Sequence, residues 1–345
     1  MQIRIVAFTK QGVELAKGIL HQLRECSNHQ VKVYTLEKYC NASVVLPIGK
    51  SLNKWTEEGF KESQALVFIG ATGIAVRAIA PFVKDKYKDP AIVVLDEKGK
   101  YVISLLSGHV GGANKLAKQV AELTEGTAII STATDVNGLF AVDEWAKERG
   151  YHVRNPEGIK LLAATLLKGE KVKLKTSFQI EGNLPRQFTL AEEGSYVLEI
   201  TTHLNKEKES LQVVPPIITL GIGCKRGTSM EAIETFIGDT LKEANVCIEA
   251  VGSIATIELK KDEEGLLAVA RKYHWPIYFH TSETLMQLPG NFSSSLFVER
   301  VTKVDNVCER AAVATSGGRL IVKKKKSNGI TIALAQPPFV LEWDD

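Results

Sequence analysis

Three stretches of this 345-residue sequence concentrate the residue types that acyl and proton-transfer chemistry requires. The densest is Leu105-Leu106-Ser107-Gly108-His109-Val110-Gly111-Gly112-Ala113-Asn114, set between a strand pattern and a helix pattern. Gly108, Gly111 and Gly112 let the backbone approach a ligand closely. Free N–H groups at the helix start, those of Gly111, Gly112 and Ala113, favour an anion or an oxyanion. His109 stands inside the loop, and an imidazole moves protons near neutral pH. The same run also suits a tight turn whose glycines only satisfy geometry. Its spacing is not that of the G-x-G-x-x-G dinucleotide fingerprint.

The second stretch, Phe68-Ile69-Gly70-Ala71-Thr72-Gly73-Ile74-Ala75-Val76-Arg77, again runs from a strand through glycines into a helix. Such loops at strand ends are common ligand positions in open α/β sheets. Thr72 can donate to an oxyanion or carboxylate beside Gly73, and Arg77 can pair with a carboxylate. A plain strand–turn–helix with a solvated arginine fits equally well. The third, Ser131-Thr132-Ala133-Thr134-Asp135-Val136-Asn137-Gly138, is dense in hydroxyls and amides. Asp135 either orients His109 or serves as a second acid/base group, or else makes an Asx turn with Asn137-Gly138.

Near the other end, Gly221-Ile222-Gly223-Cys224-Lys225-Arg226-Gly227-Thr228 leaves a strand and leads into a helix. Lys225 and Arg226 beside a helix N-terminus form a carboxylate site. Cys224 has no histidine near it in sequence and reads as a small buried residue rather than a nucleophile. Cys308 reads as core, His274 as structural and Lys323–Lys326 as a solvated strand end.

The elements that must position these groups alternate between strand and helix. Ile3–Phe8, Val31–Leu36, Ala65–Ile69 and Thr127–Ser131 are short apolar runs, and 12–24, 74–82 and 113–123 carry helical spacing. Ile92–Leu95 and Tyr101–Leu106 flank a short glycine-containing turn, as in a hairpin. An open α/β sheet follows for an N-terminal domain over 1–141 with its glycine-rich loops. A small α+β central domain is expected over 142–214, with a helix at 157–167, strands at 171–178 and 196–202, and a charged turn at Lys206–Glu209. Pro215-Pro216 marks a boundary. A C-terminal α/β domain over 215–345 starts with a strand at 217–222. Thr228-Ser229-Met230-Glu231 is a capping box opening its first helix. Helices at 262–273 and 304–314, a strand at 277–279 and a closing hairpin at 320–335 complete it.

Hydrophobic residues make up 44% and charged residues 24%, enough apolar material for more than one core. A net charge of +3 is too small to argue for nucleic acid or an anionic membrane, yet allows a local basic patch for an acidic small molecule. The five cysteines form no C-x-x-C pair, so neither a metal cluster nor a disulfide framework is indicated, and a reduced compartment fits. Met1–Phe8 reads as a first strand rather than a signal peptide, and no run reaches the length of a membrane span.

Gly70-Ala71-Thr72-Gly73-Ile74-Ala75-Val76-Arg77, Asp89-Pro90-Ala91, Leu106–Asn114 and Thr132-Ala133-Thr134-Asp135 together resemble the N-terminal domain of the cobalt-precorrin-5A hydrolase family of anaerobic cobalamin biosynthesis. Residues 140–167 resemble that family's central domain, and 221–228 with 304–312 its C-terminal domain. The Ser-Gly-His-x-Gly-Gly-Ala-Asn block is long and specific. Lys225-Arg226 stands in the reverse of the family's order, which preserves charge.

The resemblance implies a cytoplasmic hydrolase that opens the ring-A acetate δ-lactone of a cobalt-bound, ring-contracted tetrapyrrole and releases the two-carbon fragment as acetaldehyde. It implies no cofactor of the protein's own, because the cobalt is carried by the substrate. It implies no nucleic-acid or membrane partner, and transient contact with other enzymes of the pathway. In that reading His109 and Asp135 are catalytic. Thr72, Gly73, Arg77, Ser107, Gly108, Gly111, Gly112, Asn114, Lys225 and Arg226 bind substrate. His109 acts as general base or as an axial cobalt ligand. Two other classes remain: a nucleotide- or phosphate-binding enzyme, for which neither the P-loop nor the dinucleotide spacing is present, and a non-catalytic tetrapyrrole carrier.

Overall fold

A computed structural model describes residues 1–26, 29–40, 44–85, 88–109, 111–191, 197–204 and 210–343. The charged turn expected at Lys206–Glu209 and Val110 of the histidine loop lie outside the described residues. The chain divides into two compact units, Met1–Glu144 and Trp145–Asp345. No helix among the described residues is long and apolar enough to cross a membrane.

The first unit is built on seven strands: β1 (Gln2–Ala7), β2 (Gln30–Thr35), β3 (Val45–Pro47), β4 (Ala65–Ile69), β5 (Ala91–Leu95), β6 (Tyr101–Leu106) and β7 (Thr127–Ile129). They lie in the order β3-β2-β1-β4-β5-β6-β7. Every residue of β4 and β5 is buried, as befits central strands covered on both faces. On one face α1 (Lys10–Cys26) and α4 (Ala113–Leu123) bury Ile19, Leu23, Leu116 and Val120 against Ile5, Val67 and Val93. On the other, α2 (Leu52–Glu62) and α3 (Thr72–Ile79) pack Trp55 and Ile79 with Phe68 and Val94.

The turn between β5 and β6 is too short for a crossover, so the two strands pair antiparallel, as the hairpin pattern indicates. Asp96 fixes that turn by accepting the amides of Lys98 and Tyr101. This reversal decides where the loops fall. Leu106 pairs with Ile92 at the N-terminal end of β5, and β7 runs parallel to β6. The loops that follow β6 and β7 therefore share one sheet edge, opposite the C-terminal ends of β1, β4 and β5.

In the second unit, after α6 (Val142–Glu148), a five-stranded sheet has the order β11-β9-β12-β13-β8. Its strands are β8 (His152–Val153), β9 (Val172–Thr176), β11 (Phe188–Leu190), β12 (Leu198–Ile200) and β13 (Leu211–Val214), with α7 (Gly158–Leu167) alongside. β10 (Gln179–Gly182) pairs with β19 (Val340–Trp343) in a separate ribbon.

A second five-stranded sheet has the order β16-β15-β14-β18-β17. It comprises β14 (Ile218–Cys224), β15 (Val251–Ile257), β16 (Ile277–His280), β17 (Arg319–Ser327) and β18 (Ile330–Gln336). β14, β15 and β16 are parallel, and β18 and β17 return as the expected hairpin. α8 (Met230–Glu243) and α9 (Glu264–Tyr273) cover one face. α10 (Ser282–Gln287), α11 (Leu296–Thr302) and α12 (Val307–Ser316) follow β16, and α10 and α12 contribute Leu285, Val307 and Ala311 to the core on the other face. The cap of α8 is Ser229, whose hydroxyl accepts from the Ala232 amide, one residue later than the Thr228 start of the sequence motif. Both units are mixed α/β with parallel-rich sheets, the class read from the sequence.

Candidate functional site

His109 and Asp135 come together because β6 and β7 are neighbours and end at the same edge. His109 sits in the loop between β6 and α4, and Asp135 in the single helical turn α5 (Ala133–Val136) after β7. His109 Nε2 lies 2.9 Å from Asp135 Oδ2 and 2.9 Å from Thr134 Oγ1. The carboxylate only accepts, so the proton on Nε2 faces it and Nδ1 carries the free lone pair. Among the described residues, nothing bonds that Nδ1. The two side chains are 21% and 14% exposed, enough for a solute to reach and little enough for the pair to stay fixed.

Among the described residues, no amide of its own turn donates to the Asp135 carboxylate, so the Asx turn is not seen. The 135–138 turn is closed by the backbone, with the Gly138 amide donating to the Asp135 carbonyl, and the carboxylate is left to face His109. Behind it, Asn114 Nδ2 donates to Asp135 Oδ2 at 2.9 Å, and Ser104 Oγ donates to Asn114 Oδ1 at 2.6 Å. Asn114, expected among the substrate contacts, is 2% exposed and holds the carboxylate instead. Ser107 is also occupied: its hydroxyl donates to the Asp89 carbonyl at 3.0 Å, and its φ is +57°.

The glycines of this loop are there for fit. A Cβ on Gly108 would stand 2.7 Å from Asn114 Oδ1, and one on Gly111 2.3 Å from Ser107 Cβ. Gly112 has φ +86°. The amide cradle expected at Gly111, Gly112 and Ala113 is corrected to one group. Gly112 N–H donates to the His109 carbonyl at 2.9 Å and Ala113 N–H to the Ser107 carbonyl at 3.1 Å, closing the loop on itself. Among the described residues the Gly111 amide donates to none.

Thr72, Gly73 and Arg77 are not part of this arrangement. Thr72 and Gly73 open α3 at the C-terminal end of β4, the opposite sheet edge from His109. Arg77 is exposed and its guanidinium donates to the Gly73 carbonyl of its own helix at 3.2 Å.

Lys225 and Arg226 line a cleft of about 770 Å³ at the C-terminal edge of β14 and β15. Lys324 and Lys326 share it, as does Lys260, which the sequence reading did not single out. Lys324 and Lys326 are two apart on β17 and so share a face of the strand. The solvated strand end expected at Lys323–Lys326 is thus half cleft wall. Arg226 pairs with Asp262 at 2.8 Å, both exposed, and Lys260 with the buried Glu263 at 2.9 Å.

Burial disfavours the thiolate at both cysteines of the cleft. Burial raises Cys224 above the ordinary thiol value and pushes Cys308 up to about 12. Both hold little thiolate near neutral pH.

Residues 54–135 match the family model described as cobalamin synthesis G N-terminal, and residues 218–335 the model described as cobalamin synthesis G C-terminus. The first stretch contains His109 and Asp135, the second all five cations of the cleft. A Priestia megaterium protein named cobalt-precorrin-5A hydrolase is 33% identical, covering 97% of this chain and 95% of its own. One of the same name from Salmonella typhimurium is 32% identical, covering 96% and 97%. A Methanocaldococcus jannaschii protein named as a probable cobalt-precorrin-5A hydrolase is 29% identical, covering 97% and 99%.

Proposed function

The chain belongs to the cobalt-precorrin-5A hydrolase family of cobalamin biosynthesis, and from that premise we propose that it opens the ring-A acetate δ-lactone of cobalt-precorrin-5A and releases acetaldehyde, giving cobalt-precorrin-5B. The observation that carries this reading is the imidazole of His109, fixed by Asp135 through Nε2 with Nδ1 left open. Lactone hydrolysis needs a base for water and a donor for the tetrahedral oxyanion.

In this mechanism Nδ1 of His109 takes a proton from water as its oxygen adds to the lactone carbonyl. The Gly111 amide faces the developing oxyanion, a contribution worth a few kcal/mol for one well-placed donor. Collapse of the adduct breaks the acyl C–O bond, the His109 imidazolium returns its proton to the departing oxygen, and a ring-A acetate and a hydroxyl on the extruded carbon are left beside a neutral imidazole. Removal of the hydroxyl proton by the His109–Asp135 pair forms the aldehyde C=O. The C–C bond to the macrocycle breaks, its electron pair passes to the ring system, and a proton replaces it there. Asp135 keeps the tautomer and steadies the imidazolium, and Asn114 and Ser104 hold Asp135. Cobalt enters with the substrate, so the protein supplies no metal ligand set to this scheme.

Lys225 and Arg226 carry the second part of the reading, recognition of peripheral acetates and propionates. Incubating the purified chain with cobalt-precorrin-5A and assaying acetaldehyde tests the whole. Acetaldehyde formed in step with substrate loss supports it. Pigment bound with no acetaldehyde makes the chain a tetrapyrrole carrier.

A further inference from the structure

The cleft at the C-terminal edge of β14 and β15 combines two features that ordinarily exclude each other. Its rim carries Lys225, Arg226, Lys260, Lys324 and Lys326. Among the described residues no carboxylate pairs with Lys225, Lys324 or Lys326, so three like charges share one concavity without compensation. Its walls are apolar, formed by Ile257, Leu259, Val301, Val307 and Ile330. Of these, Leu259 is 49% and Val301 65% exposed, so the cleft presents apolar surface beside its cations. Water alone satisfies the rim and leaves the walls bare. An apolar body with carboxylates at its edge satisfies both. The volume, about 770 Å³, is within the usual range of small-molecule sites.

The strand geometry makes the charge pattern specific to this cleft. Lys325, between the two cleft lysines, projects to the other face of β17 and pairs there with Glu243 of α8. The β17–β18 register is interrupted between Val322 and Lys325, where the Lys324 amide leaves the ladder and donates to the buried carboxylate of Glu309 at 2.7 Å. Glu309 also takes the amide and hydroxyl of Ser293, each at 2.8 Å. A fully buried acid is thereby used to set the bulge that carries Lys324. Lys225 lies with its stem along Gly329, where a Cβ would meet its Cδ at 2.7 Å, keeping the ammonium at the rim.

From this we infer that the cleft is a self-sufficient site for a polycarboxylate tetrapyrrole, contained within the second unit, with Lys225, Lys324 and Lys326 as its specificity-determining cations. The inference rests on the functional reading above for the identity of the macrocycle, and on the cleft alone for its location. The site recognises the apolar ring and its peripheral carboxylates and is indifferent to the lactone.

The test is a fluorescence titration of the full chain with uroporphyrin I, an octacarboxylate tetrapyrrole with no lactone. The wild type binds it saturably at one site, and added salt weakens binding. Lys324→Gln with Lys326→Gln weakens binding by about tenfold for each charge removed. Leu259→Ser weakens it as well, while Lys325→Gln and His109→Ala leave it unchanged. Wild-type affinity in the double variant, or an equal loss in Lys325→Gln, overturns the assignment. The two readings fail separately: absent acetaldehyde release with this titration intact removes the proposed reaction, and normal acetaldehyde release with no cleft effect removes the site.

Discussion

Nε2 of His109 and Oδ2 of Asp135, 2.9 Å apart, are joined across the edge of two adjacent strands, and the same carboxylate oxygen takes the buried amide of Asn114. One oxygen thus fixes an imidazole in front and is itself fixed from behind, in a chain that ends on Ser104. An imidazole oriented in this way can be released one link at a time.

His109→Ala removes the proposed base and should lower kcat by about 10²–10⁴ while substrate binding persists. Asp135→Asn keeps the shape but loses the acceptor that fixes the tautomer, and should lower kcat by at least about tenfold. Asn114→Ala should reduce kcat with KM little changed, since it acts through Asp135. Steady-state kinetics separate these cases. Loss of pigment binding in His109→Ala, with an altered visible spectrum, identifies the imidazole as a cobalt ligand instead.

The loop glycines should differ in a defined order. Gly112→Ala meets open space and costs only left-handed strain, about 1 kcal/mol by thermal unfolding. Gly108→Ala presses on Asn114 and should depress kcat as Asn114→Ala does. Gly111→Ala drives a methyl into Ser107 Cβ and its carbonyl and should be the most damaging of the three.

Cys224→Ala and Cys308→Ala should each keep kcat within about twofold, and iodoacetamide should not inactivate the native enzyme. Rapid inactivation traced to either thiol would contradict the protonated state that burial imposes on both.

Acid should unfold the second unit partly through Asp305. Its hydrogen bond from the Arg310 guanidinium holds its carboxyl below the usual carboxylate range, against a smaller opposing effect of burial. A depressed value in the folded state gives stability that is present above the unfolded value near 4 and is lost as pH falls through the folded one. Asp305→Asn should therefore cost about 1–3 kcal/mol at pH 7 and progressively less below about pH 4, read by denaturant unfolding across pH.

Much of the frame was legible because apolar runs and glycine punctuation report it directly. β4, the β5–β6 hairpin, α4 and the β17–β18 hairpin lie where periodicity puts them. β15 was not read as a strand because Gly252, Ser253 and Thr256 interrupt its apolar run. Their polar groups are matched inside the sheet, with Thr256 Oγ1 on the Ile222 carbonyl at 2.6 Å and Ser253 on Thr219 at 3.0 Å. With β15 unseen, Lys260 could not be placed at a strand end. α2 was missed because only Trp55, Thr56 and Gly59 of its polar sequence are buried. At the site, His109 and Asp135 were recognisable by type. That two of the three neighbouring amides close the loop is a property of its backbone path, and the gathering of Lys324 and Lys326 with Lys225 depends on pairing between distant strands.

The most direct measurement is single-turnover acetaldehyde release from cobalt-precorrin-5A by the wild type and by His109→Ala, with bound pigment followed in the same samples. The account predicts one acetaldehyde per substrate consumed by the wild type, and a rate at least about a hundredfold lower in the variant with pigment still bound. Release by His109→Ala at the wild-type rate would contradict it.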